Sequence, residues 1–222
     1  MPDPAIPRNA YSVLVAGLMN PSIHHPQWYR LIGAINDDEL NASLKGGTSG
    51  TTPIASRLQF GSPSLTVFCQ PYQWMIQSTD DGSWTRMLSI ASLVFAKANN
   101  PTMTMTAFGL MAQRHIDTNH DAKAILAASV AKLDLGLHAG KNVNTNFTLA
   151  SSEEGFTVTT SIQSSVFGER VVFGLYHCDY PAQEIEGILD GRFEAFASRS
   201  NKFFTDIVAA INARAEKGEY HE

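Results

Sequence analysis

The sequence predicts an α+β fold: antiparallel meander sheets covered by helices, in two intimately packed lobes that end in a long C-terminal helix. Three observations predict it. Short alternating or apolar runs broken by Gly, Pro, Asn and Asp come in groups of three, over residues 56–78 and again over 144–178. Each group is followed by an apolar stripe at helical spacing, Trp84, Met87, Leu88, Ala91, Val94 and Phe95 in the first half and Phe193, Phe196, Phe203, Ile207 and Ile211 in the second. Regular strand–helix alternation and a glycine-rich strand-to-helix turn are both missing, which argues against a doubly wound nucleotide fold.

Taken in order, Tyr11–Met19 reads as a first strand, ended by Asn20-Pro21. Gln27–Ile35 predicts a short helix with Trp28, Leu31, Ile32 and Ile35 on one face, and Asn36–Leu44 is polar and helical. Gly46–Pro53 is flexible by composition. Ser56–Phe60, Leu65–Cys69 and Gln73–Ser78 form the first meander. Pro71 marks a break between two of its strands because proline cannot donate to a ladder. Ser83 caps the helix Ser83–Ala98, which Asn99-Asn100-Pro101 stops. Thr102–Arg114 is a returning strand, and Asp121–Leu133 a second amphipathic helix. Asn144–Ala150 and Phe156–Ser164 make a hairpin, Arg170–Cys178 a third strand, and Asp190–Ala215 the longest helix, with a frayed end at Lys217–Glu222. The lobes divide as 1–116 and 117–222, with one continuous domain as the alternative.

Composition narrows the function classes. A chain of 222 residues with 44% hydrophobic and 17% charged side chains has material for a sizeable core and is not a disordered composition. The formal net charge of −5 comes without a basic stripe, so nucleic-acid binding has no electrostatic footprint. Arg192, Arg199 and Lys202 are countered by Glu194 and Asp206 and read as a solvated face. Cys69 and Cys178 read as buried free thiols. Residues 1–8 do not form a signal peptide, and no apolar run approaches the ~18 residues of a membrane helix, so a cytoplasmic protein without membrane contact is expected.

Several local signals bring the chain close to a known group. They are the strand Tyr11–Met19, the tryptophan-bearing helix after it, Arg57-Leu58-Gln59-Phe60-Gly61, Trp84 opening its helix, and Gly109-Leu110. The Glu154-Gly155-Phe156 hairpin and the final helix with Phe193, Phe196, Phe203 and Phe204 complete the set. In these the chain resembles a family of uncharacterised, sporadically distributed bacterial α+β proteins. The resemblance implies the fold and lends no site residue, and the Gly46–Pro53 loop departs from it. The family's patchy occurrence suggests a mobile-element or phage-conflict role.

Four constellations carry chemistry worth weighing. His115, Asp117 and His120 lie within a short polar run and are legitimate metal ligands. The same residue types also serve turns and caps, and the histidine spacing is not the i, i+4 of a zinc helix. His177-Cys178-Asp179 sets a thiol beside an imidazole, but neighbours on a strand face opposite ways, so the two cannot pair. Gly46–Thr52 and Gly136–Asn142 lack the ending and the spacing of a phosphate-binding loop, and no serine-hydrolase elbow exists. On the terminal helix, Phe196, Phe203, Phe204 and Arg199 form the expected protein interface.

The reading is a non-enzymatic protein-interaction or dimerisation module without a cofactor, with a homodimer or a protein partner. The alternative is a small-molecule-binding protein or metal-dependent hydrolase, its pocket between sheet and helix and using His115, Asp117 and His120.

Overall fold

Strand periodicity does most of the organising in this chain. The structure is a computed structural model that describes residues 7–45, 50–60, 65–96, 99, 104–131, 146–153, 155–181 and 192–218. Strands β1 (Asn9–Leu18), β2 (Gly50–Thr51), β3 (Ser56–Phe60), β4 (Leu65–Gln70), β5 (Gln73–Ser78), β6 (Thr104–Asp117), β7 (Asn146–Glu153), β8 (Phe156–Ser164) and β9 (Val171–Pro181) form one antiparallel sheet. Their order is β2-β3-β4-β5-β1-β6-β9-β8-β7. The helices among the described residues are α1 (Pro26–Leu31), α2 (Asp37–Lys45), α3 (Trp84–Phe95), α4 (Ala122–Ala131) and α5 (Phe193–Glu216). The architecture is α+β, as expected.

The two halves of the chain are laid out alike. Each runs strand, helical segment, antiparallel meander, helix, and in each the first strand sits at the sheet centre with the last strand beside it. β1 and β6 pair along their length, Val13 opposite Leu110, so a single sheet passes through both halves. α3 lies on β1 and β5, while α5 lies on β6 and β9. Buried and part-exposed residues alternate along β3, β4, β5 and β9, which means one face of the sheet carries the helices and the core.

That core is apolar by sequence pattern. Tyr11, Val13 and Val15 of β1 point to the same side as Trp74 and Ile76 of β5 and as Phe108, Leu110 and Ala112 of β6. α3 buries Trp84, Met87, Leu88, Ile90, Ala91, Val94 and Phe95 against them, and each large side chain contributes roughly 1.5–3 kcal/mol. Trp84 joins the halves, with its ring centroid 5.8 Å from Tyr11, 5.3 Å from Phe196 and 5.4 Å from Phe193. α2 opens on a reciprocal cap, in which Glu39 N–H donates to Asn36 Oδ1 and Asn36 N–H donates to Glu39 Oε2, both at 2.9 Å. Glu39 also accepts from Arg86 of α3 at 2.9 Å, which ties α2 to its neighbour.

The structure departs from the sequence expectation where local backbone decides. α1 stops at Leu31 because Gly33 takes φ 73°, so the expected face breaks up: Leu31 is 83% exposed and Tyr29 fully buried. Within the stretch expected to be flexible, Gly50–Thr51 pairs with β3. β6 runs on to Asp117, so His115 and Asp117 belong to a strand and not to a polar junction. β7 continues to Glu153 and β9 to Pro181 because their partner strands extend that far. The expected turn at 61–64, the 46–49 part of the glycine-rich stretch, the Gly136–Asn142 loop and the stop at 100–101 lie outside the described residues.

Two features make the fold testable. Register in the central pair shifts between Ala16 and Gly17. Gly17 has φ 155°, and a Cβ there would stand 1.9 Å from the Thr104 carbonyl oxygen. Gly17→Ala should therefore lower unfolding free energy by roughly 2–4 kcal/mol in urea titration; an unchanged midpoint would show that the bulge relaxes freely. The second feature is a buried relay. Trp74 Nε1–H donates to Tyr29 Oη at 2.9 Å, and that hydroxyl lies 2.8 Å from His24 Nδ1. The relay is complete when His24 carries its proton on Nε2, a buried atom with no partner. Burial lowers the His24 pKa from 6.5 to about 4. Between those values the unfolded chain binds more protons, so stability is full above pH 6.5 and is lost as pH falls toward about 4. The loss should reach roughly 2–4 kcal/mol in denaturant titrations across that window, and His24→Phe should flatten it.

Candidate functional site

The second face of the sheet carries no helix among the described residues, and there the half-buried residues of the alternating strands gather. Register places Phe68 beside Met75 and Met75 beside Leu14. The band continues diagonally to Met111 of β6 and to Leu175 and Phe173 of β9. The result is an apolar band across β4, β5, β1, β6 and β9. Neutral side chains border it: Gln59, Thr66, Gln77, Gln113, Thr159, Ser161 and Gln163. Charged side chains on this face include Arg57, whose guanidinium lies 5.4 Å from the Phe68 ring, the Arg8–Asp117 pair, and Asp179 on β9 beside His177.

At one end of the band small residues open a hollow of about 400 Å³. Ala16, Ala107 and Gly109 form its floor, with Gln73 and Tyr72 on one wall and His177 and Asp179 on the other. His177 Nε2 stands 3.2 Å from Asp179 Oδ1 without the alignment of a hydrogen bond. Gly109 pairs with Asp179 across β6 and β9, and a Cβ at 109 would come within 2.7 Å of His177 Nε2. Glycine is what lets the imidazole lie there. Cys178, between the two, is buried on the helix side, so the thiol and the imidazole do not meet. A carboxylate beside an imidazole can orient it for proton transfer, but the residues lining the hollow include no serine, threonine, cysteine or lysine to serve as nucleophile.

The residues singled out in sequence go elsewhere. His115 and Asp117 share a strand face, but each has its own partner. His115 Nδ1 is 2.7 Å from Ser165 Oγ, and its ring is held between Phe167 at 4.6 Å and Phe173 at 4.9 Å. Burial first, and the nearby Arg8 second, lower the His115 pKa. Asp117 accepts from Arg8 at 2.7 Å. His120 lies past the strand, where its carbonyl accepts from the Thr118 hydroxyl at 2.7 Å. Among the described residues no three His, Cys, Asp or Glu side chains are grouped to hold a metal ion.

On α5, Phe196 is 1% exposed and Phe204 is also buried, so both serve the chain's own core. Phe203 packs 5.6 Å from Tyr176, and the Arg199 guanidinium lies 5.3 Å from the Phe156 ring. Sequence reasoning missed His177 with Asp179, although i, i+2 on a strand shares a face, and it missed Gly109, whose meaning depends on β9. It also missed Arg114 at the end of β6. That guanidinium sits between Phe204, 4.8 Å away, and Tyr11, 5.6 Å away, and lines a groove of about 670 Å³ against α5.

Compared with known proteins, the sequence matches no family model and no curated protein. Among the described residues no helix is long and apolar enough to cross a membrane. Burial holds the Cys69 thiol near a pKa of about 12 and leaves Cys178 covered by the core. A soluble disulfide reagent should therefore label neither thiol in the native chain and both in denaturant; prompt native labelling of Cys178 would place it on the His177 side.

Proposed function

We propose that the chain is a protein-binding module that works through the uncovered face of its sheet, with a second copy of itself as the partner. One observation carries the reading: an apolar band of Phe68, Met75, Leu14, Met111, Leu175 and Phe173, flanked by neutral side chains and interrupted on β9 by His177 and Asp179. That is the distribution of an interface centre, which is depleted in charge and bordered by polar groups. A self-contact sets identical side chains against each other, and in a chain of formal charge −5 an uncharged centre avoids like-charge repulsion.

Size supports the same partner. Nine strands about 4.8 Å apart make a face about 38 Å wide, and about six residues per strand run about 20 Å. The face therefore offers about 800 Å², near the amount each partner of a stable complex buries. In such a dimer two open sheets pack as a sandwich, and the hollow beside His177 closes.

Light scattering behind size exclusion tests the proposal. The expected result is a dimer for the native chain, and a monomer for Met111→Glu with an unchanged circular dichroism spectrum and melting transition. A native chain that stays monomeric at the highest attainable concentration defeats the reading. A dimer that survives Met111→Glu but dissociates on Phe203→Glu moves the contact to α5.

A further inference from the structure

We propose that the groove between the end of β6 and α5 binds a small organic monocarboxylate, held by Arg114. Arg114 projects from the helix side of β6, where the Tyr11 and Phe204 rings flank its guanidinium. Nη2 donates to Asn201 Oδ1 at 2.8 Å and the guanidinium also hydrogen-bonds the Tyr11 hydroxyl, while Nε is buried with no hydrogen-bond partner. No carboxylate pairs with Arg114 among the described residues; Asp117, which lines the same groove, is held by Arg8 at 2.7 Å. Asp80 and Asp81 act on the Tyr11 hydroxyl but form no ion pair with the arginine. A part-exposed guanidinium that faces a groove, has no carboxylate partner and keeps one donor unsatisfied is suited to a planar carboxylate.

The groove also fits the size and charge of that anion. A second orphaned atom, the Oδ1 of Asn212, lines it, and a half-turn of that amide presents N–H to a carboxylate oxygen. The remaining lining is mixed, with Ile116, Phe204, Val208 and Ala209 forming an apolar wall and Asn9, His115 and Thr205 polar. One guanidinium without a carboxylate partner, beside an apolar wall and with the Asp117 carboxylate on the same groove, balances a monoanion with a hydrocarbon tail better than a dianion such as phosphate. Arg114 itself projects on the helix side, while His115 and Asp117 line the groove from the end of the open face.

Calorimetric titration of the full chain with butyrate, butyramide and inorganic phosphate tests the proposal. Butyrate should bind saturably with a dissociation constant of about millimolar order, and butyramide and phosphate about tenfold more weakly or worse. Arg114→Gln should weaken butyrate by about tenfold, and so should Ala209→Phe, which fills the groove from an exposed helix position and leaves the arginine in place. Should Arg114→Gln fail to fold, Ala209→Phe decides. No saturable butyrate binding, equal binding of butyramide, tighter binding of phosphate, or butyrate affinity unchanged in the folded variants would each overturn it.

Discussion

Pairing of β1 with β6 is the contact on which the remaining architecture rests. Each strand is the first of its half, and each is flanked on its other side by the last strand of the same meander. Tyr11, Val13 and Val15 on one strand and Phe108, Leu110 and Ala112 on the other turn to the same side, where α3 and α5 cover them. The seam therefore sets both the register of a nine-stranded sheet and the platform on which the two long helices meet at Trp84. Its one irregularity, the shift at Gly17, is tolerated because that residue has no side chain to collide with the Thr104 carbonyl.

One-sided cover is the second constraint. With the described helices on one face, the other face keeps the residues that period-two alternation leaves over. In a sheet that simply faced water those positions would be charged and polar. Here Leu14, Met75, Met111 and Leu175 lie near the centre, with His177 and Asp179 of β9 beside them. The polar chemistry is correspondingly spread out: a His177–Asp179 pair in a shallow hollow, a His115 clamped by rings, and an Arg114 between aromatics on the far side. Among the described residues none of these brings a nucleophile, an acid–base pair and an oxyanion donor together.

The α+β class, the meanders and their covering helices were legible in the residues, because alternation and helical spacing are local properties. The stripe Trp84 to Phe95 lies on the sheet as its spacing requires, and Cys69 and Cys178 are both buried. Boundaries slipped where a single backbone torsion or a distant partner decided. Gly33 ended α1 early, and β9 drew β6 out to Asp117. That extension carried His115 and Asp117 into a strand and gave each a separate neighbour, Ser165 and Arg8, from remote parts of the chain.

By itself, then, the sequence determined the meander strands and the two long helices, their order and which side of each is apolar, since these follow from side-chain periodicity within a few residues. Only the tertiary structure decided that both meanders share one sheet, that its second face carries no helix among the described residues, and that Phe196 and Phe204 belong to the core. It alone set Gly109 beneath His177 and Arg114 between Tyr11 and Phe204. Those outcomes depend on which strand lies beside which, and strand pairing joins residues far apart in the chain, so no local pattern can specify them.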